Sequence, residues 1–413
     1  LMAPQVMSSA YSSTQPTVEY GVEQTEYEVQ TVAIPKVLNQ IDNSGVRFTN
    51  GSISTADIIA LQTGEFLATW NSSTFHGYGL YAQKFDQSGL EIGSEFLISD
   101  GAGYRDGINA TVVALAGGGF VAGFTEDYQA KLRVFDSAGS VSHTIEVPST
   151  YNNSHLSFSS NQSNQLFVTW TEQSGSNQLL RGAAYDSDGS LIRDAFTIRS
   201  NQNPDPSSDL ADDRFGYYHS ARVADDKFAV AWIQRYNISP RVHSMFAKIV
   251  GLDSGDDSEV INIPSPRGST DFSSLKILGL PDDTALVAFG DEGPGGDSGD
   301  VLTRKISSTG ELLEAGKLGP VARRQISIIQ TPDNQLVYHE NGFRQEIKLY
   351  RDTEALRDNG YLDNVRLDRT SYASEFANVI AANDAGILML MDTGLTIQRF
   401  EIADRLSQGT YTL

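Results

Sequence analysis

The residues best suited to chemistry stand together at 214–219, Arg214-Phe215-Gly216-Tyr217-Tyr218-His219. On an extended strand successive side chains alternate, so Tyr217 and His219 share one side and Tyr218 takes the other. Arginine can neutralise a uronate carboxylate and so acidify its α-proton. Histidine or tyrosine can remove that proton, and tyrosine can protonate the leaving oxygen. Arg214, Tyr217 and His219 are therefore the catalytic candidates if the chain is a polysaccharide lyase acting by β-elimination. A chance Tyr-Tyr-His run on a structural strand is the competing explanation.

The same residue types recur in the longer connections. Of six histidines, only His143 falls within an outer strand. His76, His155, His243 and His339 are expected at one end of the strands, with Tyr78, Tyr104, Arg105, Arg235 and Arg344 around them. Arginine pairs in a bidentate manner with carboxylate or sulfate, and tyrosine offers a flat face to sugar rings. This set suits an anionic, hydroxylated ligand; the alternative is that long loops simply hold most polar residues. The stretch GDEGPGGDSGD supplies Asp291, Glu292, Asp297 and Asp300, hard oxygen ligands in a flexible loop, and is the best candidate for Ca²⁺. Asp205, Asp209, Asp212 and Asp213 form a weaker acidic group, and neither has EF-hand spacing. No organic cofactor is expected: no phosphate-cradling glycine loop follows a strand and opens a helix. Gly-x-Ser-x-Gly is absent, and with 52 acidic residues no glycosidase-like carboxylate pair stands out.

These residues are positioned by a repeat, clearest at 52–100. SISTADIIAL, GEFLATW, GLYAQKF and GSEFLIS read as four strands divided by Gln62-Thr63-Gly64, a longer loop, and Asp86-Gln87-Ser88-Gly89. The second-strand signature returns at Phe120–Phe124, Phe167–Trp170 and Phe228–Trp232, then fades through 286–289, 336–339 and 387–390. The Asp-x-x-Gly turn returns at Asp136 and Asp186. Seven units of roughly 45–60 residues predict a seven-bladed β-propeller with four-stranded antiparallel blades and an N-terminal extension. The expected division is 1–43 for the extension and 44–413 for the propeller. The last unit lacks a convincing fourth strand, and 26–35, EYEVQTVAIP, alternates with no other partner. It is expected to close that unit, Pro35 ending it. Insertion of the same strand into a neighbouring subunit is the alternative, and would give self-association.

Composition narrows the class. The net charge of −22 argues against nucleic-acid binding. Cysteine is absent, so disulfides and thiolate metal sites are excluded. No apolar run approaches a membrane span and no signal peptide is visible, so no membrane insertion is expected.

GEFLATW followed by GYGLYAQKFDQSGLEIGSEFLIS resembles repeats of very large secreted bacterial surface proteins of the RTX, type I-secreted class. The likeness is clear in the first and third units, partial in the second and fourth, and weak beyond. It implies secretion, an extracellular or cell-surface location and a surface or matrix role, and carries over no catalytic residues; the glycine-rich calcium nonapeptides of that class are missing. Some ulvan lyases are seven-bladed propellers with Tyr/His/Arg sites, a similarity of fold without a matching motif. The leading expectation is a non-enzymatic binding or adhesion module engaging glycan or another cell-surface or matrix ligand through its long-loop face. The alternative is the lyase.

Overall fold

The computed structural model describes residues 36–47, 52–74, 77–100, 111–126, 129–149, 156–174, 177–201, 214–236, 242–264, 272–291, 299–320, 326–341, 345–357, 363–366, 379–383, 386–391 and 396–404. Contacts divide the chain into Leu1–Ile34 and Pro35–Leu413, and every described residue belongs to the second unit.

Strand β1 (Lys36–Arg47) comes first. The first four-stranded sheet is β2 (Ser52–Ala60), β3 (Phe66–Thr74), β4 (Gly77–Phe85) and β5 (Glu91–Asp100). The second is β6 (Val112–Ala114), β7 (Phe120–Glu126), β8 (Gln129–Phe135) and β9 (Val141–Glu146). The third is β10 (Leu156–Ser160), β11 (Gln165–Ser174), β12 (Asn177–Asp186) and β13 (Leu191–Asn201). The fourth is β14 (Arg214–Ala224), β15 (Lys227–Tyr236), β16 (Val242–Gly251) and β17 (Ile261–Ile263). The fifth is β18 (Phe272–Gly279), β19 (Thr284–Asp291), β20 (Asp300–Ser307) and β21 (Leu312–Pro320). The sixth is β22 (Ser327–Gln330), β23 (Leu336–Asn341), β24 (Gln345–Tyr350) and β25 (Asp363–Arg366). The seventh joins β26 (Val379–Asn383), β27 (Gly386–Met391) and β28 (Thr396–Asp404) to β1, in the order β1-β28-β27-β26. All pairings are antiparallel, and the first strands touch in the cyclic order β2, β6, β10, β14, β18, β22, β26, β2. This is the all-β propeller architecture of four-stranded antiparallel sheets.

The turns form for the reasons their residues supply. Asp86 Oδ1 accepts the amides of Ser88 and Leu90 at 2.8 and 2.9 Å while Gly89 takes φ 84°; Gly139 and Gly189 repeat that conformation. The second strands are near-continuous apolar runs because both their faces are covered; every residue of β19 is buried. Apolar clusters fill the seams. Phe167 and Phe228 stack at 5.3 Å between the third and fourth sheets. Ala231, Ile277 and Phe289 share the seam between the fourth and fifth, and Ala381 of the seventh packs with Trp70 of the first.

The closing strand differs from the expected one. Residues 26–35 lie outside the described residues, and the strand completing the seventh sheet is Lys36–Arg47, with Lys36 opposite Asp404. Pro35 lies outside the described residues and immediately precedes that strand in sequence. Pairing with β28 is irregular between Gln40 and Val46, where extra residues sit on β1.

Candidate functional site

Two groups of polar residues are brought together by these elements. The first lies where β14 and β16 begin and β15 ends. Arg214 is the register partner of Arg235, and Arg235 is the partner of His243. One register row across three consecutive strands therefore holds three basic residues. The backbone at its margin is fixed by the Phe215 amide, which donates to Gln178 Oε1 of the third sheet at 2.8 Å.

Beside this row β14 is bulged. Phe215 faces Gln234 and Tyr218 faces Trp232, so three steps on β14 match two on β15. Gly216 lies within the bulge, a position where a missing side chain eases the bend. The expected division of faces is observed. Tyr217 packs on the cluster that contains Ala221 and Val223, toward the fifth sheet. Tyr218 is buried with Phe167 and Trp232, toward the third. Burial pushes the Tyr218 phenol well above its ordinary range, against opposing hydrogen bonds with Thr171, so it is held as a neutral structural group. His219 is half-buried at the centre of β14, opposite Ala231.

The second group surrounds the ring axis. Five first strands end in the same turn, closed by amides of Leu61, Leu115, Asn161, Leu280 and Thr331. Four residues before these stand Asp57, Thr111, Ser157, Lys276 and Ser327. His219 joins them, because it pairs with Ala231 as Ser157 pairs with Thr169. Polar side chains at this level fasten one inner strand to the next. Ser157 Oγ accepts the Ser220 amide at 3.0 Å, Ser327 Oγ accepts that of Ile380 at 3.3 Å, and Asp57 accepts that of Val112. Asp57 is charged in a place that disfavours charge. Loss of solvation pushes its carboxyl up to about 6, despite the opposing influence of Lys276 and of the Ile58 and Val112 amides. It keeps part of its surface, as do Thr111, His219 and Lys276. Because protein surrounds Asp57, that surface does not restore bulk hydration. Sequence reading missed Asp57, Thr111, Ser157, Lys276 and Ser327; their constant distance from the turn was the available signal.

The remaining candidates separate. His76, Tyr104, Arg105, His155, Arg344, Glu292 and Asp297 lie outside the described residues. Tyr78 falls on β4 opposite Ser73. His339 is corrected: it is not on a loop but the fourth residue of β23, fully buried opposite Ser327, and so is shut away from a dissolved ligand. Of the metal candidates, Asp291 and Asp300 are buried register partners at the base of their loop, and Asp300 meets Lys317 Nζ at 2.8 Å. Among the described residues no group of three or more His, Cys, Asp or Glu could hold a metal ion, and no helix is long and apolar enough to cross a membrane.

No protein-family model matches the chain, and no curated protein matches it. Solved structures do. An ulvan lyase of a new polysaccharide lyase family, bound to -[GlcA(1-4)Rha3S]-, superposes with a TM-score of 0.54 at 11% identity, covering 87% of this chain and 95% of that one. The Pan2 WD40 domain of Neurospora crassa gives 0.51 at 10% identity, over 90% of this chain and 96% of that one. At such identities the likeness shows a shared β-propeller fold.

Proposed function

We propose that the protein is an extracellular carbohydrate-binding propeller that engages an acidic polysaccharide at the strand ends of its fourth sheet. The observation that carries this reading is the Arg214–Arg235–His243 row. Like charges directly opposite on neighbouring strands repel. Two arginines at paired register positions, in a protein of net charge −22, make this strand end the place to which an anion would be drawn. Uronate carboxylates and sulfate esters are anions of the right shape for guanidinium groups. On this reading the chain serves as a binding or adhesion module.

A second reading, lyase catalysis further along β14, toward the ring axis, is favoured by the placing of Tyr217 and His219. Tyr217 and His219 lie on the same side of β14, a few residues from Arg214, and the ulvan lyase with the same fold was solved with a uronate-containing saccharide. In that reaction a basic residue holds the uronate carboxylate, His219 or Tyr217 takes the α-proton, the ring C=C bond forms as the glycosidic C–O bond breaks, and tyrosine protonates the leaving oxygen.

Calorimetric titration with ulvan, alginate and heparin fragments, against neutral dextran, tests the binding. Acidic polymers should bind and dextran should not. Arg214→Ala and Arg235→Ala should each weaken binding about tenfold or more, the worth of one hydrogen bond to a charged group. Equal binding of dextran, or variants that bind as wild type, would refute the site. Appearance of unsaturated product, lost in His219→Ala, would select the lyase.

A further inference from the structure

The inner strands meet around the axis, and the seam between β2 and β6 differs from its counterparts. Ser157 and Ser327 carry neutral hydroxyls to the next strand. Asp57 occupies the corresponding place with a carboxyl. Its Oδ1 accepts the Ile58 amide at 2.9 Å, and its carboxyl also accepts the amide of Val112 on β6. Behind it on β3 is its register partner Thr69, which is buried. β2 also touches β6 and β26, and neither strand carries a charged residue. The titratable residues of the same inner level are His219 on β14 and Lys276 on β18, and Lys276 is the charge that acts on Asp57. In the order of touching first strands, β18 is three places from β2, so Lys276 faces Asp57 from across the ring.

We propose that Asp57 is a proton-operated latch between the first and second sheets, closed when the carboxyl is neutral and loosened when it ionises. A neutral carboxyl can occupy this poorly hydrated place, accept the Val112 amide and leave no charge uncompensated. An ionised one makes stronger hydrogen bonds but gives up its hydration, and the lost hydration outweighs them. The folded chain therefore holds the proton to a higher pH, about 6, than an unfolded chain does. Stability from this residue rises as pH falls through that value and levels off near the unfolded value, the reverse of a salt-bridged aspartate.

The test follows thermal unfolding and amide hydrogen exchange of the full chain at about pH 7.5 and about pH 5. Wild type should gain about tenfold in folding constant relative to Asp57→Asn over that interval. The protection factor of the Val112 amide, corrected for intrinsic exchange, should rise with a midpoint near pH 6 in wild type alone. Lys276→Met removes the one stabilising charge and should move the midpoint upward. A wild-type-to-variant ratio that stays constant between the two pH values would overturn the latch. If Asp57→Asn does not fold, the wild-type protection factor at Val112, corrected for the intrinsic pH dependence of exchange, decides: a factor constant over the interval overturns the latch, and a rise with a midpoint near pH 6 sustains it.

Discussion

Two aspartates show how place decides the sign of an acid's contribution. Burial would raise the Asp257 carboxyl as it does that of Asp57, but Arg193 and Lys248 hold it below the ordinary range. Arg193 makes two bonds to it, at 2.7 and 3.1 Å, and a third to the Gly251 carbonyl at 2.7 Å, joining the third sheet to the fourth. The guanidinium also lies 3.6 Å from the Phe196 ring centre. Asp257 should therefore stabilise the fold at neutral pH and lose that effect as pH falls below the carboxylate range. Asp257→Ala leaves Arg193 and Lys248 without their shared partner and should cost about 2–4 kcal/mol at pH 7, read by urea unfolding. The penalty should shrink in acid, whereas that of ionised Asp57 disappears there. Neither role was legible beforehand: Asp57 sits in an ordinary strand, SISTADIIAL, and only the ring shows that it is poorly hydrated with Lys276 as the charge that acts on it.

Strands and turns were the most legible level. The Phe-x-x-x-Trp strands and Asp-x-x-Gly turns declare themselves because apolar runs covered on both faces and positive-φ glycines need particular residues. Where the local signal competes with pairing, the reading failed. The alternation of 26–35 suggested a strand, yet Lys36–Arg47, with Asn, Asp and Ser in it, is the segment paired with β28. Its register is set by the available edge more than by its own pattern. The bulge at Gly216 was invisible for a similar reason, since only the partner strand reveals an extra residue. The β19–β20 connection carries a prediction of this scale. Asp291 and Asp300 face each other as like charges, with Lys317 answering Asp300. If Ca²⁺ completes the loop, millimolar calcium should raise the melting temperature and a chelator reverse it. Identical melting curves would mean that Lys317 suffices.

At the scale of the molecule, the closed order of first strands explains why a chain without disulfides can hold together sheets that are too small to fold alone. That order was foreseeable from the repeat, since each unit needs a neighbour on either side. The place of the proposed acidic-ligand site was only partly foreseeable. Arg214, Arg235 and His243 were each expected at one end of the strands, but their alignment in one row depends on pairing register. Removing residues 1–47 should leave β28 as an open edge. The truncated protein is expected to associate or to melt several degrees lower, measured by light scattering and calorimetry. A monomer of unchanged stability would show that β1 is dispensable.

The pairing of β1 with β28 also sets an order of events during synthesis. Lys36 waits for Asp404, roughly nine-tenths of the chain length away, while the sheets between them need only nearby neighbours. Synthesis runs from the waiting strand through six complete sheets before its partner exists. Until then those sheets form an unfinished arc with bare edges, the stage at which chains of this kind are most prone to misassembly. The closing strand thus acts as a check on the ring, joined only after every sheet between it and its partner has been made.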